Sequence, residues 1–167
     1  RSLGVKTLPD AQLIFVDTPG LHSGEKRAIN RSMNRAAVSA ASEADLCLLV
    51  VEAMNWGEDD QLALQRLSAL ERPLGLVVNK LDKARPRERM LPFLQEMQAH
   101  HDFRFIVPVS AHTAENLAEL MRLMTECLPE SPMLFPADQI TDQDDSLRAS
   151  EFVREQLIIA LREEVPY

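Results

Sequence analysis

The stretch LGLVVNKLD, residues 74–82, decides the fold of this chain. Leu74 to Val78 form the continuous apolar run that is expected of a β-strand buried on both faces of a parallel sheet. The run closes on Asn79-Lys80-Leu81-Asp82, so polar side chains follow at the carboxyl end of the strand. Because ligands of open α/β sheets bind at these strand ends, the stretch predicts a buried strand together with a binding loop.

Short apolar runs and amphipathic stretches alternate on both sides of this strand. Further strands are predicted at Leu13 to Val16, Leu46 to Val51 and Phe105 to Val109. Apolar residues at helical spacing predict helices at Lys26 to Ala41, from Asp59 until shortly before Pro73, at Arg87 to His100 and at Leu117 to Cys127. This alternation predicts an α/β fold in which helices flank a parallel sheet.

The composition of the 167 residues suits one domain, or one domain with part of another. Apolar residues make up 46%, which is enough for a core, and the net charge is -8. Since phosphate contacts need a basic surface, this stretch alone is not expected to be a nucleic-acid-binding domain. Cys47 and Cys127 are expected to be reduced structural thiols.

The loop after the 74–78 strand fits recognition of guanine. The Asp82 carboxylate can accept hydrogen bonds from N1–H and the exocyclic amino group of guanine, a donor pair that adenine lacks. Lys80 can lay its aliphatic stem over the base plane, and Asn79 can tie neighbouring loops together. A plain polar loop is the alternative, since the four-residue pattern also occurs by chance.

A second motif, Asp17-Thr18-Pro19-Gly20, follows the predicted 13–16 strand. An Asp that closes a strand can hold Mg²⁺, usually through water. Gly20 lets its backbone N–H approach a γ-phosphate and lets the next loop move when that phosphate leaves. Taken alone, the motif also fits an ordinary Pro-Gly turn.

A third motif, Ser110-Ala111, follows the predicted 105–109 strand. A small residue there lets a backbone N–H reach guanine O6, although Ser-Ala turns are common. The three motifs occur in this order at strand ends, about 60 and then about 30 residues apart. Together they predict a guanine-nucleotide site that takes GTP or GDP with Mg²⁺.

The stretches beside these motifs identify a family. DTPGLHSGEKRAINRSMNRAA at 17–37 closely resembles the bacterial Era GTPases, and so does ITDQDDSLRASEFVREQL at 140–157 with EVPY at 164–167. By this resemblance, Asp17, Thr18, Pro19, Gly20 and Leu21 contact the γ-phosphate and Mg²⁺. Asn79, Lys80, Leu81 and Asp82 recognise guanine, and Ser110 and Ala111 close that pocket. Leu21 stands where Ras-like GTPases keep a catalytic Gln, so the resemblance leaves the positioning of the attacking water open.

The resemblance also predicts the domain organisation. Residues 1–130 are expected to be a partial P-loop GTPase domain, 131–145 a linker and 146–167 the start of a C-terminal KH-type RNA-binding domain of α+β class. The five glycines include none before Lys-Ser or Lys-Thr, so the phosphate-binding loop is missing from this sequence. We therefore expect a chain truncated at both ends that hydrolyses no GTP by itself.

The resemblance implies a GTPase that couples its nucleotide state to small-subunit ribosomal RNA binding and ribosome biogenesis. A cytoplasmic monomer is expected, and peripheral association with the inner face of the cell membrane is left open. The alternative function is a naturally shortened pseudo-GTPase that acts as a protein-interaction module. Trp56 is expected to cover the core, and the four histidines show no spacing typical of a metal site.

Overall fold

The computed structural model describes residues 2–18, 28–141, 149–150 and 152–157. These residues divide into two compact units. One comprises the residues up to 17 together with those from 133 onwards, and the other comprises residues 18 to 132. The elements in chain order are β1 (Ser2–Thr7), β2 (Gln12–Asp17), α1 (Ala28–Glu43), β3 (Cys47–Glu52), α2 (Glu58–Ser68), β4 (Leu74–Asn79), α3 (Met90–His100), β5 (Ile106–Pro108) and α4 (Leu117–Cys127).

The larger unit contains a parallel sheet with strand order β3-β4-β5. The pairing of β3 with β4 runs from Cys47 opposite Leu74 to Glu52 opposite Asn79. Strand β5 pairs with β4 on its other side, so β4 is the central strand. This confirms the parallel α/β sheet that the alternation predicted, and it brings the carboxyl ends of three strands to one edge.

The core lies between this sheet and helices α2 and α3. It consists of apolar side chains from all of these elements, namely Cys47, Leu49, Val51, Ala63, Leu64, Leu74, Leu76, Val78, Phe93 and Met97. Leu76, Val78 and Met97 are completely buried. Gly75 leaves room for Phe105, because a β-carbon at Gly75 would come within 2.5 Å of the Phe105 ring. The sheet is therefore closely packed at the amino-terminal end of β4.

Strand β2 does not belong to the parallel sheet, which corrects one expectation. It forms a separate two-stranded antiparallel sheet with β1, with Ser2 opposite Asp17 and Thr7 opposite Gln12. Strand β1 was not predicted from the sequence. A tight turn that contains Pro9 and Asp10 joins the two strands, and Leu8 N–H donates to Ala11 O across it at 2.8 Å. This turn explains why neighbouring segments pair with each other here.

The segment after α4 contains no helix or strand between residues 129 and 140. It is nevertheless bound along the β1–β2 hairpin. The Gln12 side chain donates to Phe135 O at 2.9 Å and accepts from the backbone N–H groups of Leu134 and Phe135 at 3.1 and 3.0 Å. Val5 N–H donates to Ile140 O at 2.9 Å. The predicted linker thus adds hydrogen bonds to a hairpin far from it in sequence.

Several predicted boundaries shift by a few residues. Residues 87–89 form a 3₁₀ turn, so the α-helix of α3 begins only at Met90, with Pro92 in its first turn, where a proline is tolerated. Of the region from 146 to 167, residues 149–150 and 152–157 are described, and they are helical. Within the described residues, no helix has both the length and the hydropathy to cross a bilayer.

Trp56 and Cys47 have the structural roles that were expected. Trp56 packs against the core and stacks on His100, with ring centroids 5.0 Å apart. Cys47 is buried, and this burial raises the pKa of its thiol, with a smaller opposing effect from the Arg72 charge. A buried thiol with a raised pKa is a weak nucleophile, which fits a structural residue.

Candidate functional site

The loop that follows β4 is anchored to both neighbouring strand ends. On one side, Ala53 N–H donates to Asn79 O at 2.8 Å. On the other, Leu81 N–H donates to Val109 O at 3.0 Å, and the Leu81 side chain is buried. Lys80, between these two anchors, has φ 64° and ψ 36°. A Lys seldom adopts this left-handed conformation, which persists only where the surrounding structure holds it.

Asn79 supplies part of that support. Its Oδ1 atom accepts hydrogen bonds from Lys80 N–H at 2.7 Å and from Ala111 N–H at 3.0 Å. The prediction that Asn79 ties two loops together is confirmed. The same contact has a second consequence. Ala111 N–H, which belongs to the motif expected to offer a backbone N–H to guanine O6, donates to Asn79 in this structure.

The Asp82 carboxylate is held by a residue of the third motif. Ser110 Oγ donates to Asp82 Oδ1 at 2.6 Å and accepts from Thr113 N–H at 3.1 Å. Ser110 is completely buried, so its hydroxyl has a fixed environment. The Ser110 hydrogen bond is the main reason why the pKa of Asp82 lies below its usual value; burial opposes this effect, while the Asp82 backbone N–H and the nearby His112 and Lys83 add to it. Asp82 is therefore an ionised acceptor at neutral pH.

Sequence reasoning missed the role of the Ser110 hydroxyl, because it considered only a small residue with an accessible backbone. It also missed Glu52, whose Oε2 atom lies 2.8 Å from Lys80 Nζ. A signal for Glu52 was present. Glu52 directly follows the apolar run of the predicted 46–51 strand, so its position at the same sheet edge as Asn79 could have been expected.

The structure brings two of the three predicted motifs together. Asn79 to Asp82 and Ser110 with Ala111 form one hydrogen-bonded cluster at the carboxyl edge of the parallel sheet. Asp17 is the last residue of β2, as predicted, and both Asp17 and Thr18 are exposed. Pro19, Gly20 and Leu21 lie outside the described residues, so their predicted roles stay predictions.

We expect Ser110→Ala to change how base recognition depends on pH in the intact protein. Without the Ser110 hydroxyl, the pKa of Asp82 rises toward its ordinary value. A carboxylate with a lowered pKa keeps its charge as pH falls until its own pKa is reached, so the variant should lose guanine affinity at a higher pH than the wild type. At neutral pH, affinity should fall by roughly 3- to 10-fold because the carboxylate loses a charge-assisted hydrogen bond.

Binding of fluorescent GDP between about pH 3 and pH 7 measures this effect, because the ordinary pKa of an Asp carboxyl is about 3.9. Ser131→Ala is the matched control. Ser131 is exposed, and its hydroxyl donates to the neighbouring Pro132 carbonyl at 2.9 Å. Superimposable pH profiles for Ser110→Ala and wild type would show that Ser110 does not set the ionisation of Asp82.

Comparison with known proteins finds relatives that are similar to this chain over its whole length. Residues 2–80 match the family of 50S ribosome-binding GTPases. The chain is 44% identical over 167 residues to GTPase Era of Pasteurella multocida strain Pm70. The alignment covers 100% of this chain and 55% of that protein. It is 47% identical to GTPase Era of Stenotrophomonas maltophilia strain R551-3, again over 100% of this chain and 56% of the relative.

A solved structure agrees with the sequence relatives. The crystal structure of Era in complex with MgGDPNP and nucleotides 1506–1542 of 16S ribosomal RNA superimposes with a TM-score of 0.87 at 40% identity. The match covers 99% of this chain and 57% of that one, so the chain spans a little over half the length of the proteins it matches. Over its entire length, this chain is homologous to the Era family of GTPases.

Proposed function

We propose that the protein binds and hydrolyses GTP in the manner of Era, and that its nucleotide state controls binding to small-subunit ribosomal RNA during ribosome biogenesis. The observation that carries the guanine-binding part is the ionised Asp82 carboxylate, held in place by the buried Ser110 hydroxyl at 2.6 Å. This hydrogen bond favours a binding loop over an ordinary polar loop, because a buried serine orients one particular carboxylate.

Each residue of the cluster has a separate task in this proposal. Asp82 accepts from the two adjacent N–H groups of guanine, which excludes adenine because the donor pair is missing there. Lys80 covers one face of the base with its aliphatic stem. Asn79 keeps the two loops at a fixed separation through its contacts with Lys80 and Ala111. Asn79 therefore contributes to the pocket by fixing the loops rather than by contacting the base.

The phosphates and the metal are assigned to the other motif. Asp17 would hold Mg²⁺ through water, and its exposed carboxylate at a strand end has the oxygen donors that Mg²⁺ prefers. When bound, Mg²⁺ supplies charge stabilisation for the phosphoryl transfer. Thr18, Pro19, Gly20 and Leu21 are proposed to contact the γ-phosphate side of the nucleotide, as the family resemblance implies.

The RNA-binding part of the proposal rests on homology. A relative with 40% identity has been solved with a 16S ribosomal RNA fragment. The acidic chain, with a net charge of -8, is unlike an RNA-binding surface, so the proposal assigns RNA contacts to the KH-type region that begins near residue 146. Phe152, Val153 and Leu157 in the described part of that region are 51–61% exposed.

The experiment uses the intact protein. Equilibrium binding of fluorescent GDP and ADP, Mg²⁺-dependent release of phosphate from GTP, and binding of a 16S ribosomal RNA 3′ fragment with GDPNP or GDP are measured in parallel. We expect GDP to bind far more tightly than ADP, and RNA to bind more tightly with GDPNP. Equal affinities for GDP and ADP would instead favour the pseudo-GTPase. Cytoplasmic location, the monomeric state and inactivity of the 167-residue chain alone stay predictions.

A further inference from the structure

The pairing of β3 with β4 places an acidic residue beside the guanine-recognition loop. Glu52, the last residue of β3, lies opposite Asn79, the last residue of β4. One residue beyond the end of β3, the two strands are still hydrogen-bonded, since Ala53 N–H donates to Asn79 O at 2.8 Å. The backbone of Glu52 is thus held in register with the start of the loop that carries Lys80.

The side chains of Glu52 and Lys80 form an ion pair between the ends of the two strands. Lys80 Nζ donates to Glu52 Oε2 at 2.8 Å, and the two side chains are 47% and 43% exposed for Lys80 and Glu52 respectively. The backbone of Lys80 is fixed at its other end in the left-handed conformation, where its N–H donates to Asn79 Oδ1 at 2.7 Å. Lys80 is therefore held at its backbone by Asn79 and at its ammonium group by Glu52.

We propose that Glu52 is a positioning residue for base recognition, acting through Lys80. It draws the ammonium group towards β3 so that the aliphatic stem of Lys80 lies ready to pack on the face of the guanine ring. This inference rests on the proposed guanine-binding function. The gain comes from ordering the long Lys80 side chain before the nucleotide binds, since lysine loses much rotamer freedom when it is fixed.

The expected effect is modest and depends on salt. Exposed ion pairs contribute little in water and are screened by salt. For Glu52→Gln in the intact protein, we expect fluorescent GDP to dissociate roughly two to five times faster than from the wild type at low salt. At about 0.5 M salt, where the screening length is only a few ångströms, the two proteins should release GDP at nearly the same rate.

Three further variants separate positioning from general stabilisation. In a Lys80→Met background, Glu52→Gln should cause no additional loss, because the double-mutant cycle removes the proposed partner. Glu52→Asp keeps the charge and should recover part of the wild-type rate. Glu119→Gln is the matched control, since Glu119 forms an equally exposed ion pair with Arg122 at 2.7 Å within α4. It should leave GDP release unchanged.

The outcomes distinguish this inference from the function on which it rests. If the wild-type protein binds no GDP, the proposed function fails. If the wild type binds GDP and Glu52→Gln releases it at the wild-type rate at every salt concentration, Glu52 has no positioning role and the function stands. An equal loss from Glu52→Gln with and without Lys80 would also overturn the inference.

Discussion

The Asp82→Asn variant of the intact protein should bind GDP about 100- to 1,000-fold more weakly than the wild type, the largest effect that we expect from any single change at the site. The carboxylate accepts from two guanine N–H groups, whereas an amide offers one acceptor and sets its own N–H₂ group against a guanine donor. Xanthine carries a carbonyl oxygen where guanine carries the amino group. The variant should therefore gain affinity for xanthosine diphosphate, because its amide can donate to that oxygen.

Competition of GDP and xanthosine diphosphate against a fluorescent nucleotide measures both changes in one assay. Asp102→Asn is the matched control, because Asp102 is exposed and lies in the loop before β5 rather than after it. It should retain the wild-type preference. If Asp82→Asn left GDP affinity within twofold of the wild type, the assignment of Asp82 to base recognition would be wrong.

The Leu76→Ala variant should lower the free energy of unfolding by about 2–5 kcal/mol, which is a large share of the stability of an ordinary domain. Leu76 lies on the central strand β4 and is 0% exposed. Removing three carbon atoms there loses buried apolar contacts and leaves a cavity. The surrounding sheet is held on both sides by β3 and β5, so it has little freedom to collapse into the space.

Urea denaturation of the intact protein followed by circular dichroism gives this free energy. Val50→Ala is the control on the neighbouring strand β3, where the Val50 side chain is 56% exposed. That change should cost no more than about 0.5 kcal/mol. A loss below about 1 kcal/mol for Leu76→Ala would mean that the core around β4 relaxes far more readily than its close packing indicates.

The sequence was sufficient for the elements whose pattern is local. The run from Leu74 predicted β4 to within one residue, because a strand buried on both faces must be apolar throughout. The stripe on α4 predicted the helix Leu117–Cys127 at both ends, because its apolar residues repeat at the helical period. The loop after β4 was likewise predicted, since polar residues that end a buried strand can lie only at the sheet edge.

Contacts between distant segments could be decided only by the tertiary structure. The Gln12 side chain binds the backbone of Leu134 and Phe135, more than 120 residues later. Apolar periodicity carries no information about such partners, because a polar side chain that bonds a distant backbone has the same local pattern as one in water. A segment that binds a distant part of the chain and a segment exposed to water therefore cannot be told apart in the sequence.

The candidate site also has features that the sequence predicts and features that only the fold decides. Its residue types and their order were legible in the sequence, because guanine recognition needs a carboxylate, a long cationic side chain and a small residue at strand ends. The hydrogen bond from Ser110 to Asp82, the left-handed backbone of Lys80 and the Lys80–Glu52 pair emerged only from the fold. The physical reason is that strand register sets which side chains lie within 3 Å of one another, and register is a property of the assembled sheet.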